Sequence, residues 1–136
     1  HANNTNPYTY SGITMYPNKM TAELTEIHNR ITSITPVRFT SVLLNLYRDG
    51  KDSNGWHADN EKELGKSPVI ASVSFGASRF FHLKHRTIKD ARLKILLQSG
   101  SLLIMEKNTQ EKWLHQIPKT AKQIGPRINL TFRKII

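Results

Sequence analysis

Only one segment of this 136-residue chain repeats its apolar residues at helical spacing, which limits how much helix the chain can form. The pattern predicts a helix over about residues 18–35, ended by Pro36, whose apolar stripe consists of Met20, Leu24, Ile27, Ile31 and Ile34. Beyond Pro36 the apolar residues occur in short runs between glycines and polar turns, as is typical of strands. One helix before many short strands indicates a mainly β fold, a sandwich or barrel with the helix packed outside.

The expected strands account for most of the remaining chain. Tyr8–Met15 is expected to form one short strand, and Arg48–Gly55 a loop because it contains two glycines. A basic stretch between Lys84 and Lys94 is expected to turn a hairpin. Because no repeat or low-complexity tract interrupts the chain, we expect residues 1–136 to form a single domain. The other expected strands are Phe39–Tyr47, Val69–Phe75, Arg79–Lys84, Leu93–Gln98, Ser101–Met105, Trp113–Ile117 and Arg127–Ile135.

The charge balance favours a polyanionic partner. Lysine and arginine number 20 against 10 aspartates and glutamates, which gives a net charge of +10. Nucleic acid is the simplest such partner, and a merely basic surface is the alternative. The absence of cysteine excludes disulfides, thiolate zinc sites, iron–sulfur clusters and cysteine nucleophiles. The longest apolar runs, such as Leu102–Met105, are too short for a membrane-spanning helix, and no signal peptide is visible.

A candidate metal site begins at His57 and Asp59. Residues two apart on an extended segment point to the same side, so this imidazole and this carboxylate can reach one ion. His115 is the candidate third ligand, 58 residues further on. Two histidines and one carboxylate form the facial triad of non-haem Fe(II) oxygenases. Alternatively, each histidine is a surface residue or a satisfied structural one.

A second candidate site lies on the last strand and on the strand that contains Asn45 and Tyr47. The functional interpretation of the last strand is that two buried guanidinium groups pair with a dicarboxylate ligand. The alternative is an edge strand with a solvated polar face. Asn45 and Tyr47 share one face of their own strand and could serve the same ligand. Alternation on the last strand puts four polar residues on one face, namely Arg127, Asn129, Thr131 and Arg133.

The joint order of these motifs resembles the AlkB family, most closely the AlkB homologues that are DNA repair demethylases. The resemblance covers about Tyr8 to Ile135. Its motifs are N-x-Y-x-D-G from Asn45, H-x-D-x-E from His57, S-x-S-F-G-A-S-R from Ser72, G-S-L-L-x-M from Gly100, and P-R-x-N-L-T-F-R-K from Pro126.

The resemblance implies a double-stranded β-helix, or jelly-roll, and the cofactors Fe(II), 2-oxoglutarate and O2. His57, Asp59 and His115 would bind the iron. Asn45, Tyr47, Asn129 and Thr131 would face 2-oxoglutarate, Arg127 would pair with its distal carboxylate, and Arg133 would lie near its chelating end. The family couples decarboxylation of 2-oxoglutarate to hydroxylation of the alkyl carbon on a base nitrogen, and then releases an aldehyde.

The resemblance also implies how the base would be held. An N-terminal lid over about residues 6–16 would present Tyr10 for stacking, with Tyr8 as a second wall and Ser11 beside them. Glu61 would read the exocyclic amino edge of the base. The alternatives are a half-buried edge strand for Tyr8 and Tyr10 and a solvated loop carboxylate for Glu61.

Phosphate contacts are expected from the basic hairpin. Any single lysine there is equally well explained as a solubilising residue, and only the clustering favours nucleic acid. Duplex-specialised relatives carry a hydrophobic wedge upstream of the stacking aromatic. That wedge is absent from the nine residues before Tyr10, so either it was removed or the protein prefers single strands. The candidates are Arg79, Arg86, Lys89 and Arg92, with Lys119 and Lys122 as weaker ones.

The leading interpretation is therefore an oxidative demethylase of N1-methyladenine or N3-methylcytosine type lesions in DNA. A related hydroxylase acting on RNA or protein is one alternative, and a non-catalytic basic nucleic-acid-binding module is another. We expect a monomer with no membrane association, cytoplasmic in a bacterium and nuclear in a eukaryote.

Overall fold

The computed structural model describes residues 1–4, 8–10 and 13–136, and its architecture is mainly β. Two helices occur in this part of the chain, α1 (Ala22–Thr32) and the four-residue α2 (Thr109–Lys112), together with a 3-10 turn at Lys62–Leu64. The strands are β1 (Tyr8–Tyr10), β2 (Ile13–Met15), β3 (Ser41–Tyr47), β4 (Asn54–His57), β5 (Ile70–Gly76), β6 (Arg79–His85), β7 (Arg92–Leu97), β8 (Ser101–Met105), β9 (Trp113–Ile117) and β10 (Arg127–Arg133).

Eight of these strands form two four-stranded antiparallel sheets, as in a jelly-roll. The major sheet has the order β3-β10-β5-β8 and the minor sheet the order β4-β9-β6-β7. The predicted jelly-roll core is therefore confirmed. Because β10 lies between β3 and β5, it is a central strand, and the edge-strand alternative for residues 127–133 is wrong.

Two clusters of buried apolar side chains hold the layers together. One lies between the sheets and includes Phe81 and Leu97 of the minor sheet and Ile70 of the major sheet. The other lies under α1, where Leu24 and Ile31 pack with Phe132 and other side chains of the outer face of the major sheet. The helix thus covers the major sheet and leaves the space between the sheets for the site.

Helix α1 is shorter than the pattern predicts at both ends. Thr21 caps its first turn by accepting a hydrogen bond from the Leu24 amide at 3.2 Å. At the other end the Ser33 hydroxyl donates to the Arg30 carbonyl at 2.6 Å, and such local bonds compete with further helical turns. Ile34 therefore lies beyond the helix and is 70% exposed, so its predicted place in the apolar stripe is wrong.

Three further expectations about local structure need correction. The expected single strand Tyr8–Met15 is two strands, β1 and β2, paired antiparallel. The expected loop Arg48–Gly55 ends earlier, because β4 begins at Asn54. The register of β4 against β9 shifts between Asn54 and His57, which is why this strand shows no clean alternation in the sequence. None of the described helices is long and apolar enough to cross a membrane.

Candidate active site

One pocket between the two sheets collects all nine side chains that the sequence assigns to metal or cosubstrate. Strands β4 and β9 of the minor sheet and the loop after β4 contribute the candidate metal ligands. Strands β3 and β10 of the major sheet contribute the candidate cosubstrate-binding residues. The roles of these residues stay predictions, but the structure shows that the residues line one pocket. The nine are Asn45, Tyr47, His57, Asp59, His115, Arg127, Asn129, Thr131 and Arg133.

The three predicted metal ligands converge in this pocket. His57 ends β4, Asp59 follows it by two residues, and His115 pairs directly with His57 in the register of β4 and β9. Each residue offers one ligand atom, and these atoms all lie within 4.8 Å of one another. Imidazole nitrogens bind metals such as zinc at about 2.1 Å, so this spacing fits three donors around one ion after small adjustments.

The imidazole of His57 is oriented as a ligand requires. Its Nδ1 lies 2.6 Å from the Gly55 carbonyl oxygen, which can only accept, so Nδ1 carries the proton. The other nitrogen, Nε2, then keeps its lone pair and lies 3.9 Å from Oδ1 of Asp59. A histidine that ligates a metal commonly donates its second N–H to a carbonyl in this way.

One carboxylate oxygen of Asp59 accepts a hydrogen bond and the other accepts none from the described residues. The side chain is 2% exposed, and its Oδ2 accepts a hydrogen bond from Nη2 of Arg133 at 3.0 Å. Its buried Oδ1 has no hydrogen-bond partner among the described residues. A buried carboxylate oxygen without a partner is costly unless a cation compensates it. Two imidazoles and this oxygen therefore fit a divalent iron ion with open positions for cosubstrate.

His115 is held in its neutral form. Burial, followed by the nearby charge of His57, lowers the pKa of His115 to about 4. A neutral imidazole is the form that binds a metal, because the lone pair must be free of a proton. At neutral pH the site therefore needs no deprotonation of His115 before an ion binds.

Gln110 contacts two of the candidate ligands, although no sequence motif points to it. Its side chain is 1% exposed and lies in α2, just before β9. Oε1 of Gln110 accepts a hydrogen bond from the backbone amide of Asp59 at 2.8 Å and lies 3.3 Å from Nε2 of His115. Its amide nitrogen donates to Sδ of Met105 at 3.4 Å. A glutamine in a short helical turn carries no local sequence signal for such a role.

At the inner end of the pocket, Arg127 supplies an unused guanidinium edge. The side chain is 2% exposed, and Nη2 donates to Oγ of Ser74 at 2.9 Å. Nε and Nη1 are buried and have no partner within the described chain. Burial lowers the pKa of Arg127, and the side chain of Tyr47, whose ring centroid is 5.0 Å from Cζ, opposes this shift. A guanidinium remains charged in proteins, so an anionic ligand would stabilise this buried charge. A carboxylate matches this geometry because it accepts two parallel hydrogen bonds.

The polar face of β10 between the two arginines is internally bonded. Asn129 donates through Nδ2 to Oγ of Ser72 at 2.7 Å and to the Val73 carbonyl at 3.1 Å. Thr131 donates through its hydroxyl to Oδ1 of Asn129 at 2.9 Å. Asn129 lies opposite Asn45, and Arg127 lies opposite Tyr47, in the register of β10 and β3. The alternation that the sequence shows thus lines one wall of the pocket.

Arg79 is a structural residue, which corrects its assignment as a phosphate contact. It is 3% exposed, and its guanidinium donates to the carbonyls of Asp49 at 3.3 Å, Asp52 at 2.9 Å and Pro118 at 2.7 Å. These carbonyls belong to the loops after β3 and β9. Arg79 therefore ties the two loops together and offers no free edge to a nucleic acid.

The residues assigned to the base lie partly outside the described residues. Ser11 is not described, and for Tyr8 and Tyr10 the structure gives the backbone of β1 but not the side chains. Glu61 immediately precedes the 3-10 turn after Asp59, and its Oε2 is buried without a partner in the described chain. That oxygen is free to accept a hydrogen bond from a base.

The basic hairpin lies between β6 and β7. Arg86 and Lys89 are exposed at its turn, and Arg86 also donates to the Gln110 carbonyl at 3.3 Å. Nδ1 of His85 accepts from the amides of Thr87 and Ile88 and so orders the turn. Arg92 lies on β7, opposite Lys84 in the register, rather than at the turn.

Comparison with known proteins identifies the family. The family model described as the 2OG-Fe(II) oxygenase superfamily matches residues 1–133. This chain belongs to that superfamily. Its members use Fe(II), 2-oxoglutarate and O2, and the donor set His57, Asp59 and His115 fits the iron. Membership in the 2OG-Fe(II) oxygenase superfamily also agrees with the buried, unpaired edge of Arg127, which suits the dicarboxylate.

Individual relatives support the resemblance to AlkB. The Homo sapiens protein named alpha-ketoglutarate-dependent dioxygenase alkB homolog 3 is 46% identical over 138 residues, which cover 95% of this chain and 48% of the relative. DNA oxidative demethylase ALKBH2 of Bos taurus is 41% identical over 136 residues, with 95% and 49% covered. The chain thus spans about half the length of the curated relatives it matches. The solved structure of OsALKBH1 aligns with a TM-score of 0.68 at 20% identity, covering 88% of this chain and 66% of that one, and shows the shared fold.

Proposed function

We propose that this chain is an Fe(II)- and 2-oxoglutarate-dependent dioxygenase that removes alkyl groups from base nitrogens in DNA, of the N1-methyladenine and N3-methylcytosine type. The observation that carries the proposal is the single pocket in which the three metal-ligand candidates face the unpaired guanidinium edge of Arg127. The name of one relative, DNA oxidative demethylase ALKBH2, favours DNA as substrate. The whole reaction is assigned to one domain, residues 1–136, because both sheets contribute to the same pocket.

At the metal end, the chain's part is to hold three donors and to keep the region dry. His57 would bind through Nε2 and Asp59 through Oδ1, with His115 as the third ligand. Arg133 and Gln110 keep Asp59 in place by bonding its Oδ2 and its backbone amide. When bound, iron supplies the O2 chemistry that couples decarboxylation of 2-oxoglutarate to hydroxylation of the alkyl carbon. The hydroxylated carbon then leaves as an aldehyde and the base nitrogen recovers its lone pair.

At the cosubstrate end, Arg127 would bind the distal carboxylate of 2-oxoglutarate through Nε and Nη1. Tyr47 and Asn45 lie on the adjacent strand and would donate further hydrogen bonds to the cosubstrate. Arg133 lies beside Asp59 and therefore near the end that chelates the metal. Fixing both ends orients the keto acid before it reacts, which is a large part of what a protein contributes to such a reaction.

The base must leave the stack before this pocket can act on it, so the substrate is a flipped or single-stranded nucleotide. Tyr10 would stack on the base, Tyr8 would form a second wall, and Ser11 would lie beside them. Glu61 would accept a hydrogen bond from the exocyclic amino group, since its Oε2 is buried and unpaired among the described residues. Adenine and cytosine carry that amino group, and guanine N1 and thymine N3 lesions do not present it in the same place.

Binding to nucleic acid would be driven by charge. The chain carries a net charge of +10, and the hairpin turn presents Arg86 and Lys89. Phosphate contacts of this kind give affinity without sequence preference. We further propose that the protein acts as a monomer, in the nucleus of a eukaryote or the cytoplasm of a bacterium.

The test is product formation with defined substrates. The chain with Fe(II) and 2-oxoglutarate should release succinate and formaldehyde in equal amounts from an oligodeoxynucleotide with one N1-methyladenine or N3-methylcytosine. The matched control is the Asp59→Asn protein, which should release neither. Faster turnover of methylated RNA or of a peptide would favour the related-hydroxylase alternative. Binding of DNA without any turnover would favour the non-catalytic module.

A further inference from the structure

The minor sheet has an outer face that the active site does not use. Side chains alternate between the faces of a strand, and Arg79, Phe81 and Leu83 of β6 point inward and are buried. The intervening residues of β6 and their register partners on β7 therefore point outward. The ring of Trp56 of β4 lies on the same side, because it contacts the ammonium group of Lys84. The minor-sheet outer face consists of Trp56, Phe80, His82, Lys84, Arg92, Lys94 and Leu96, together with Leu114 and Gln116 of β9, the register partners of Lys84 and His82.

This face combines one exposed ring, Phe80, and one half-buried ring, Trp56, with cations that contact them. Nζ of Lys84 lies 4.4 Å from the ring centroid of Trp56, and Nζ of Lys94 lies 4.1 Å from the ring centroid of Phe80. Phe80 is 38% exposed, although a large apolar side chain is usually more buried. Cation–π contacts hold the two ammonium groups above the sheet and reduce the freedom that they would lose on binding an anion.

The charge of the face has one sign. Three of its nine residues are lysine or arginine, and none is aspartate or glutamate. Lys84 faces Arg92 directly across the β6–β7 register, so two cations sit side by side without an acidic neighbour on the face. Like charges placed opposite each other destabilise a strand pair, so a polyanion bound there would relieve a cost that the free protein carries.

The rings favour single-stranded nucleic acid over other polyanions. Surfaces that bind single strands combine a basic track for the phosphates with aromatic side chains on which bases stack. A four-stranded antiparallel sheet with exposed aromatics is one such surface. The face also belongs to the same sheet as His57 and His115, so a strand that leaves the pocket reaches it by passing one sheet edge.

We propose that the minor-sheet outer face binds the single-stranded stretch that flanks the target base. The nucleotides at the pocket and those on this face would belong to one strand that bends around the minor sheet. The proposal rests on the proposed function for the identity of the pocket, but the binding itself needs no catalysis.

The test compares the lengths of DNA that the protein can bind. Fluorescein-labelled oligothymidylates of six and 24 nucleotides are titrated against the Mn(II)-loaded chain without 2-oxoglutarate, with binding followed by anisotropy at several salt concentrations. The Lys84→Gln/Lys94→Gln protein should bind the 24-mer about tenfold more weakly, and the 6-mer within about twofold of the unaltered protein. Its salt slope for the 24-mer should fall by about 1.4, since each phosphate contact contributes about 0.7 in single strands.

Two further variants distinguish a specific effect of the minor-sheet outer face on DNA binding from a general effect of positive charge. Arg30→Gln/Lys66→Gln removes the same two charges from exposed positions elsewhere and should bind both DNAs within about twofold of the unaltered protein. Trp56→Leu/Phe80→Leu should weaken 24-mer binding several-fold with an unchanged salt slope, because stacking releases no counterions. Thermal unfolding of each variant checks that the fold is kept.

The outcomes that would overturn the proposal are distinct. The proposal is wrong if Lys84→Gln/Lys94→Gln binds the 24-mer as tightly as the unaltered protein does. It is also wrong if this variant loses affinity equally for both DNA lengths, or if the control variant Arg30→Gln/Lys66→Gln loses as much affinity. Competition by polyglutamate or anionic vesicles as strong as that by DNA would show a general polyanion surface instead. Because the probe is unmodified and no turnover occurs, these results stand whether or not the demethylase activity is found.

Discussion

Arg133 and Asp59 are 74 residues apart in the chain and form a buried ion pair, with Nη2 of the arginine 3.0 Å from Oδ2 of the aspartate. The pair joins the last strand of the major sheet to the loop that follows β4. It engages one carboxylate oxygen and leaves Oδ1 for a metal ion. One contact therefore serves both the closure of the two sheets and the orientation of a ligand.

The first prediction concerns Asp59. Asp59→Ala should abolish turnover that depends on 2-oxoglutarate, and it should also lower the free energy of unfolding by about 3 kcal/mol, because the buried guanidinium of Arg133 loses the carboxylate to which it donates. Asp59→Asn should be equally inactive but less destabilised, since it retains an acceptor for Arg133. Urea unfolding of the metal-free proteins and succinate assays measure the two effects. Normal turnover in Asp59→Ala would remove Asp59 from the metal site.

The second prediction concerns Arg127. A charge-assisted bidentate pair is worth about 1.5–3 kcal/mol, so Arg127→Ala should raise the apparent KM for 2-oxoglutarate at least about tenfold. Arg127→Lys should recover part of this loss, because an ammonium keeps the charge but not the fork of two donors. The measurement is succinate release at varied 2-oxoglutarate, with circular dichroism as a check on folding. An unchanged KM in the alanine protein would place the distal carboxylate elsewhere.

The third prediction concerns Gln110. Gln110→Met preserves length and burial but removes the acceptor for the Asp59 amide and for His115. The affinity for Mn(II), followed by electron paramagnetic resonance, should fall about tenfold to a hundredfold, as is usual when a group that orients metal ligands is lost. Gln110→Glu keeps the acceptor and should bind the ion at least as well as the unaltered protein. Equal weakening of Mn(II) binding in both variants would mean that Gln110 only fills space.

The fourth prediction concerns Tyr10. Stacking of a base on an aromatic ring is worth about 1–3 kcal/mol, so Tyr10→Ala should slow turnover of a methylated oligonucleotide roughly tenfold to a hundredfold. Consumption of 2-oxoglutarate without DNA should be nearly unaffected, because Tyr10 is assigned to neither metal nor cosubstrate. Parallel succinate assays with and without the oligonucleotide measure both rates.

A variant of the basic hairpin serves as the comparison for Tyr10→Ala. Neutralising Arg86, Lys89 and Arg92 together should weaken the binding of methylated and unmodified DNA alike and should reduce the salt dependence of that binding. Phosphate contacts carry no information about the base. If Tyr10→Ala weakened both DNAs equally, or the hairpin variant lost only its preference for the lesion, the two roles would be the reverse of those proposed.

The parts of the fold and site that the sequence predicts are those that depend on regular alternation. Arg127, Asn129, Thr131 and Arg133 face one way because a regular strand requires it, and the structure places all four in the pocket. The partner of His57 was harder to place, because His115 is 58 residues away. The sequence offers His115 as a candidate third ligand, and the ordered set of motifs supports this assignment, whereas spacing alone does not.

The parts that the sequence does not predict depend on irregular backbone and on contacts between distant segments. A register shift in β4 hides its alternation, and the hydroxyls at the end of α1 end that helix before its apolar stripe is complete. Arg79 looks like a phosphate contact until its three carbonyl partners from two loops are known. The contacts of Gln110 with the candidate ligands are to Asp59, which is 51 residues away in the chain, and to His115, which is five residues away. No local pattern records such pairings.

The unpaired edge of Arg127 has a consequence for the lifetime of the protein. A ligand that binds only the folded chain stabilises it by mass action, and 2-oxoglutarate at a hundred times its Kd would add about 2.7 kcal/mol. The unfolded fraction, which proteases degrade, would then be about a hundredfold smaller. The steady-state amount of the protein would therefore rise with the concentration of 2-oxoglutarate, even if the rate of its synthesis did not change.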